Sequence, residues 1–426
     1  MLYSKSDLEA IIAKGKWKSS HKKMRYLAST LHEMTSSMRR TVCKRKPKRK
    51  KARNMHRTRG FALHMLSNGE LSDSNFQRMF RLDRLSFDEI LEKLDAVLVK
   101  DYQKALNRSG SPISNTCRLA VTLRWLAGAS YLDLCWAWGV STGTFYSADR
   151  GPLWPTIQAL DEMFTLGCAL DNIEYLDELS DGFEKHSGGI MKGCVMAIDG
   201  LLVRTRAPTE DEVLNPKDWL CGKGGFAILA MAGADIKGRF VAATANYSGT
   251  THDSTAWERS ELHHAVDEGR LPEKYFIIGD EAYACKEQVL CPYSGRGLGV
   301  AKDAFNYYLS HSRQCIERAF GMLIQRWGIF WRKFRFAYER WSQVIILCMK
   351  LHNFCQERSL AIPSRRFNED CVPGDDIMVA GNDDYLPDDI KELRQRSRCK
   401  KRFDITLYLE SRGMRSPIHA CGNSRA

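Results

Sequence analysis

Three consecutive apolar segments between residues 193 and 248 constrain the fold more than any other part of the chain. They have the sequences GCVMAIDGLLVRT, GGFAILAMAGAD and RFVAATANYS, and a short turn that contains Gly joins the second to the third. Apolar runs bounded in this way predict three strands of a meander. A helix from Asp253 to about Val266, a fourth strand in YFIIGD, and helices at 312–328 and 341–355 are predicted to follow. This order predicts an α/β fold in which helices flank a mixed sheet.

The segment from Asn75 to about Leu166 has helical periodicity. A capping box of Ser86 and Glu89 predicts one helix start, in RLSFDEILEKL. Helices at 118–127 and about 131–138, a Gly-containing turn and a third helix capped at its N-terminus then predict a helix-turn-helix. In such a unit the start of the third helix contacts DNA, which here means Ser141, Thr142, Thr144 and Tyr146. A plain helical bundle is the alternative.

Composition and periodicity together predict four regions. Residues 1–70 form a basic, largely disordered arm, and residues 75–166 form the helical, helix-turn-helix-like domain. After a polar linker at 170–190, residues 190–356 form the domain that contains the sheet. Residues 360–426 form a charged, partly disordered tail, because an acidic stretch there precedes the basic RQRSRCKKR.

The positive charge of the chain is concentrated in the arm. Residues 1–60 contain nineteen Lys or Arg and three Asp or Glu, a net charge of +16, whereas the whole chain has +13. The densest run, KRKPKRKKAR at 44–53, is predicted to stay disordered by self-repulsion and to act as a nuclear-import signal, a phosphate-binding arm, or both. We therefore expect a nuclear protein whose DNA contacts include Lys44, Arg45, Lys46, Lys48, Arg49, Lys50 and Lys51. A merely solubilising tail is the alternative.

Two classes of protein are not expected. No apolar run reaches the roughly 18 residues that a membrane helix needs, and charges interrupt the N-terminus where a signal peptide would be apolar. The fourteen cysteines include no CxxC pair. This spacing argues against a zinc knuckle or a disulfide framework and favours a reducing compartment.

Three carboxylates lie where the predicted elements could bring them together. Asp199 interrupts the apolar strand VMAIDG, and a buried carboxylate requires a cation or strong hydrogen bonds. Asp280 ends the fourth strand, where functional groups gather in open α/β sheets, although Gly-Asp is also a common turn. Glu317 borders the apolar stripe of the helix at 312–328, near its N-terminus. These positions predict that the three acids meet at one edge of the sheet.

Four motifs in order give the chain a resemblance to a known family. AIDG, IIGDEAY, IERAFGMLIQRWGIFWR and LCMKLHNFC resemble the DDE transposases of the PIF/Harbinger type and their domesticated nuclease-like relatives. The resemblance covers residues 190–356 closely, and the helical region from about residue 76 more loosely. It implies that residues 190–356 are an RNase H-like DDE catalytic domain. The family's catalytic, metal-binding triad falls on Asp199, Asp280 and Glu317.

The resemblance also implies a chemistry and partners. DDE enzymes cut and join DNA strands by phosphoryl transfer with divalent cations, of which Mg²⁺ suits carboxylate oxygens best and Mn²⁺ can substitute. The expected partners are double-stranded DNA, as transposon ends and target, and a second copy of the chain. The family often uses a separate Myb-like protein for end binding and nuclear entry, and the basic arm would lessen that need.

Other residues are weaker candidates. Asp253 matches an acid that the family carries before its first helix, and an N-cap is favoured over an auxiliary metal contact. His352 and Asn353 match the closing motif and are predicted to be structural, while Glu281 is predicted to point away from the site. Candidate phosphate contacts are Lys223, Arg313, Arg318 and Lys333.

The sequence leaves three functions open. An active transposase or nuclease is favoured because the acidic triad is intact. A domesticated protein that binds DNA or a partner without cutting is the alternative from a different class. An RNA-directed, RNase H-like enzyme is disfavoured by the helical region that precedes the sheet.

Overall fold

The computed structural model describes residue 66 and residues 71–98, 113–167, 170–222, 224–295, 297–362, 378–379 and 399–416. Nearly all of the predicted arm, including the cations from Lys44 to Lys51, lies outside the described residues. The same holds for Lys223 and most of the predicted tail. Among the described helices, none is both long and apolar enough to cross a membrane.

Within the described residues, six helices lie before residue 170. Their bounds are α1, Asp73–Phe80; α2, Arg84–Val97; α3, Asn115–Leu126; α4, Tyr131–Ala137; α5, Thr142–Phe145; and α6, Trp154–Met163. The start of α2 differs from the capping-box prediction, because Asp83 is its N-cap and accepts a hydrogen bond of 2.8 Å from the Ser86 backbone N–H. Ser141 caps α5 as predicted, but α5 is a single turn.

The predicted linker contains a helix, α7, Ile173–His186. Its N-cap is Asn172, whose side chain accepts from the Tyr175 backbone N–H at 3.1 Å. The stripe Leu176, Leu179, Ser180 and Phe183 is buried at helical spacing. The linker interpretation was wrong because many exposed acids surround this narrow apolar stripe and make the segment polar on average. The helix packs on the first strand of the sheet.

The sheet is mixed, as predicted. Its strands are β1, Cys194–Thr205; β2, Leu220–Cys221; β3, Gly225–Ala234; β4, Phe240–Ser248; β5, Phe276–Ile278; β6, Val289–Leu290; and β7, Met378–Val379. The long strands are antiparallel where β3 pairs with β1 and with β4. The shorter β5 is parallel to β1 and to β6. The order β4-β3-β1-β5-β6 therefore puts β1 at the centre.

Four helices of the described chain follow β4 and β6 in the sequence and precede β7. Two short helices, α8, Asp253–Glu258, and α9, Glu261–Asp267, replace the one predicted between β4 and β5. The long helix α10, Val300–Arg326, begins twelve residues before its predicted start and packs on β1 and β3. Helix α11, Trp341–Glu357, packs on β4 and on α6. The helical region and the sheet thus share one buried core.

Part of the predicted charged tail is also a helix, α12, Lys400–Ser411, which packs on α10. It is held by Arg402, which is buried and donates to the carbonyl oxygens of Cys291 and Pro292 at 3.3 Å each. The Arg402 guanidinium also lies 4.0 Å from the centre of the Tyr293 ring. A basic run can therefore belong to the folded part when its cations find carbonyl and aromatic partners.

Candidate active site

Asp199 lies at the centre of the sheet. It is in the middle of β1 opposite Ala232 of β3, and only 1% of its surface is exposed. One carboxylate oxygen accepts from the backbone N–H of Gly200 at 2.9 Å, and the other accepts from Arg313 Nη1 at 3.0 Å. The buried charge is thus partnered, as its position in an apolar strand requires.

Asp280 follows β5, the strand parallel to β1. Because the register pairs Ala197 with Ile278, the chain after β5 leaves the sheet beside the part of β1 that carries Asp199. Its carboxylate accepts from the Ala282 backbone N–H at 2.9 Å, so it also forms the turn that the Gly-Asp pattern predicts. The next residue, Glu281, is exposed. The turn and site readings of Asp280 are therefore compatible.

Helix α10 supplies the third acid and a cation. Glu317 and Arg313 are one turn apart on the helix, and the Arg313 guanidinium binds Glu317 through Nη2 while Nη1 binds Asp199. Arg313 has 19% of its side chain exposed and Glu317 has 39%. The guanidinium therefore bridges two of the three predicted site acids from a position at the edge of the solvent.

The three acids lie close enough to affect one another's ionisation. Burial raises the pKa of Asp199 to about 6, against the lowering effects of Arg313 and the Gly200 N–H and with further raising by Asp280 and Glu317. Burial also raises the pKa of Asp280, which its bond to the Ala282 N–H and the charge of Arg313 oppose. Such mutual repulsion between carboxylates is relieved by a cation bound among them.

The donor set fits a hard divalent cation in its chemistry, since all three groups are carboxylates. In the described part of the chain, however, no three His, Cys, Asp or Glu side chains are grouped closely enough to hold a metal ion. The Arg313 guanidinium occupies the place of a cation here, because it binds both Asp199 and Glu317. The residues therefore fit a metal only if Arg313 turns away.

Asp253 contacts the same strand from the other face. It is the first residue of α8, and His252 is the N-cap, so the N-cap interpretation of Asp253 was wrong. Asp253 is 3% exposed, and a Cβ at Gly200 would lie 2.4 Å from its Oδ1. Since side chains alternate along a strand, Asp253 approaches β1 on the face opposite Asp199. This placement favours a structural role over an auxiliary metal contact.

Two participants were missed or misjudged from the sequence. Arg313 was predicted only as a phosphate contact, and its pairing with Asp199 spans 114 residues of sequence. Tyr283 is buried and lies within electrostatic reach of Asp253, Asp199 and Asp280. Its pKa is raised well above the usual value, mainly by burial and to a lesser extent by these three negative charges. For Asp253, Gly200 in AIDG was the available signal, since a glycine inside a strand often marks the close approach of another group.

The predicted DNA-contacting residues lie apart from the acids in the sequence and on other elements. Thr142 is exposed on α5, whereas the Thr144 hydroxyl is 2.8 Å from that of Ser141, which also accepts from the Thr144 backbone N–H. Tyr146 ends α5 and packs against Phe145, with ring centres 4.9 Å apart. Burial raises the pKa of Tyr146 to about 12. Of the four, Thr142 is the side chain most available for a contact.

The two residues of the closing motif are structural. The buried His352 donates from Nε2 to the Gly238 carbonyl oxygen at 3.0 Å, and burial with the nearby Arg326 lowers its pKa to about 3. The Asn353 amide accepts from the N–H of Phe240 and donates to its carbonyl oxygen, each at 2.7 Å. Both side chains attach α11 to the start of β4.

Comparison with known proteins agrees with this geometry. Residues 198–353 match the family model described as DDE superfamily endonuclease, and the match contains all three acids. The chain is also similar to Protein ALP1-like of Arabidopsis thaliana, with 25% identity over 304 residues, which cover 67% of this chain and 71% of that protein. No solved structure matches the chain significantly.

Proposed function

Since the chain carries a DDE superfamily endonuclease domain of the PIF/Harbinger type, we propose that it is a metal-dependent DNA endonuclease that cuts and joins strands by phosphoryl transfer. The observation that supports the proposal is that Asp199, Asp280 and Glu317 lie within electrostatic reach of one another. They come from a central strand, the end of its parallel neighbour and a helix packed on both long strands.

The strand order supports an RNase H-like assignment for this domain. Three antiparallel strands, β4, β3 and β1, are followed by two shorter parallel strands, β5 and β6, in one sheet. The first acid lies on the central first strand and the second follows the strand parallel to it. We infer from this arrangement that residues 190–356 are an RNase H-like catalytic domain.

The proposed chemistry needs few groups from the protein. Divalent cations, Mg²⁺ most naturally and Mn²⁺ as a substitute, would activate the attacking oxygen and stabilise the leaving oxygen. Asp199, Asp280 and Glu317 would hold these ions, and Asp199 would be fixed by the Gly200 N–H. Arg313, once released from the acids, has a guanidinium that can bind a phosphate oxygen. Positioning and charge neutralisation suffice for phosphoryl transfer.

We extend the proposal to partners and location. The substrate would be double-stranded DNA at transposon ends and at a target, handled by a homo-oligomer in the nucleus. The cationic run at 44–53 supports nuclear entry and phosphate binding. A Myb-like accessory protein is a further proposed partner, as the resemblance implies. Sequence-dependent contacts by Ser141, Thr142, Thr144 and Tyr146 stay a prediction.

The test is nicking of supercoiled plasmid DNA with Mg²⁺ or Mn²⁺. We expect Asp199→Asn, Asp280→Asn and Glu317→Gln each to abolish nicking, because each removes a metal ligand while keeping the side-chain shape. Glu281→Gln is the matched control, since Glu281 is exposed beside Asp280, and it should cut like the wild type. Full cutting by any one of the three triad variants would overturn the assignment.

One observation favours a second candidate, a domesticated protein that binds DNA without cutting it. Arg313 binds both Asp199 and Glu317, so a cation of the protein itself already compensates part of the charge of this site. This candidate would be favoured if neither Mg²⁺ nor Mn²⁺ raised the melting temperature and neither supported nicking. Stabilisation by either metal that disappears in Asp199→Asn would favour the nuclease.

A further inference from the structure

A groove lies between the helical region and the segment that follows α10. Its volume is about 1150 Å³, which exceeds the roughly 300–1,000 Å³ that is typical of sites for small molecules. One wall comes from the residues around α3, α4, α5 and α6, and the other from residues 328–337 with Arg204 of β1. We call this feature the seam groove. Its size suits a segment of a polymer better than a metabolite.

The charged side chains that line the seam groove all carry positive charge. They are Arg204, Arg332, Lys333 and Arg335, and no Asp or Glu of the described chain lines it. Within the described residues, Lys333 and Arg335 are exposed and take part in no ion pair. The positive charges of Lys333 and Arg335 are therefore complementary to an anion.

The backbone arranges these cations in a row. Phe334 forms a parallel bridge with Thr205, and its N–H donates to the Arg204 carbonyl oxygen at 2.9 Å. The segment around Phe334 is therefore extended along the end of β1, with Phe334 buried. Since side chains alternate in extended chain, Lys333 and Arg335 project together on the side opposite Phe334. Cations spaced in this way suit the repeating phosphates of a nucleic-acid strand.

Aromatic rings line the same groove. Trp331, Tyr131 and Tyr146 are 43%, 37% and 36% exposed, which is unusual for rings that lie beside a large core. The Trp331 indole donates to the Ile324 carbonyl oxygen at 2.9 Å, so its edge is fixed while part of the ring remains open. Tyr131 and Tyr146 lie with ring centres 5.3 Å apart. Rings held in place in this way can stack on bases at low entropic cost.

We propose that the seam groove binds single-stranded DNA, with phosphates on the cations and unpaired bases on the rings. Cations combined with open aromatic faces are typical of single-strand sites, because the bases of a duplex are stacked inside it. The proposal deepens the endonuclease function and rests on it. Arg204 and Asp199 lie five residues apart on β1, about 17 Å, and their side chains project from opposite faces of the strand, so the groove is separate from the acid site.

The test is fluorescence anisotropy with a labelled oligo(dT) and, separately, a labelled duplex, on the full chain in EDTA so that no cutting occurs. We expect Trp331→Leu to weaken oligo(dT) binding about five- to 140-fold, since stacking contributes about 1–3 kcal/mol per base. Trp331→Phe keeps a ring and should bind like the wild type. Duplex binding, which we assign to the basic arm, should change less than twofold in both variants.

A second pair of variants tests the cations. Lys333→Ala with Arg335→Ala should reduce the slope of log affinity against log salt for oligo(dT) by about 1.4, or about 0.7 per contact. Lys192→Ala with Lys237→Ala is the matched control, because it removes two exposed cations that do not line the groove. This control pair should leave unchanged the difference between the salt slopes for oligo(dT) and for duplex.

Three results would overturn the proposal. If Trp331→Leu lost equal affinity for oligo(dT) and for duplex, the groove would bind the backbone of duplex DNA. If Trp331→Leu bound oligo(dT) like the wild type, the rings would not contact the bases. Tighter binding of oligo(U) than of oligo(dT) would assign it to RNA. Asp199→Asn should bind oligo(dT) like the wild type. A protein that never cuts but shows the expected binding would therefore overturn the endonuclease proposal and leave single-strand binding standing.

Discussion

Arg313 donates to Asp199 across 3.0 Å through Nη1 and binds Glu317 through Nη2, so one guanidinium is shared between two of the three candidate site acids. A bound metal would have to replace it. We therefore expect Arg313→Gln to lower the melting temperature in EDTA, because buried Asp199 loses its cation, and to show a larger increase on adding MgCl₂. Thermal denaturation against Mg²⁺ concentration measures both effects.

The control for this prediction is Arg318→Gln on the same helix. Arg318 is exposed, and its guanidinium donates to the Ile236 carbonyl oxygen rather than to a site acid. It should keep the wild-type response to Mg²⁺. If Arg313→Gln also kept that response, the guanidinium would not compete with the metal.

The raised pKa of Asp199 gives a prediction about stability and pH. Because the pKa is about 6 in the folded state and 3.8 when unperturbed, ionisation of Asp199 destabilises the folded state as pH rises through this interval. At pH 8 in EDTA, Asp199→Asn should therefore be more stable than the wild type by up to about 3 kcal/mol. Below pH 4 the difference should vanish. Urea unfolding at several pH values measures it, and a difference independent of pH would contradict the burial effect.

Gly200 and Gly321 form a matched pair for mutation to alanine. At Gly200 an added Cβ would lie 2.4 Å from Asp253 Oδ1, whereas at Gly321 of α10 nothing lies within 4 Å. Gly200→Ala should lower the free energy of unfolding by about 1–3 kcal/mol through overpacking. Gly321→Ala should raise it by roughly 0.5–1 kcal/mol, since alanine favours the helix. Equal effects at the two sites in denaturant titrations would contradict the close approach of Asp253.

The α5 region is tested by Thr142→Ala, alone and with Thr144→Ala. Because the Thr144 hydroxyl is hydrogen-bonded to Ser141, we expect the single variant to cause most of the loss. Binding to a cognate terminal repeat should weaken by at most a few kcal/mol, and binding to scrambled DNA should hardly change. Paired titrations at one salt concentration decide this. Equal losses on both DNAs would mean backbone contact only, and no loss would favour a plain helical bundle.

The basic arm is tested by deletion. Removing residues 1–60 takes away a net charge of +16, so affinity for random DNA should fall and its salt dependence should flatten. A fluorescent fusion that lacks residues 44–53 should leave the nucleus. Unchanged import together with an unchanged salt dependence would show that the arm serves neither purpose.

Local patterns in the sequence predict the strands and the positions of the acids, because apolar runs and turn residues determine them. These patterns fail where a contact between residues far apart in the sequence determines the structure. Nothing near Ile173 signals that α7 will find a buried surface on β1, and the link from Arg313 to Asp199 joins elements 114 residues apart. The approach of Asp253 to Gly200 depends likewise on how α8 docks, which no local periodicity encodes.

The amide of Asn353 has a consequence for the behaviour of the protein in solution. It hydrogen-bonds both the backbone N–H and the backbone carbonyl of Phe240. Phe240 begins β4, an outermost strand that pairs with β3. An open strand of this kind invites another chain to add to it, and proteins that fail to block such borders aggregate. A single side chain from α11 thus ends the hydrogen-bond ladder at this point and protects the protein against stacking with its own copies.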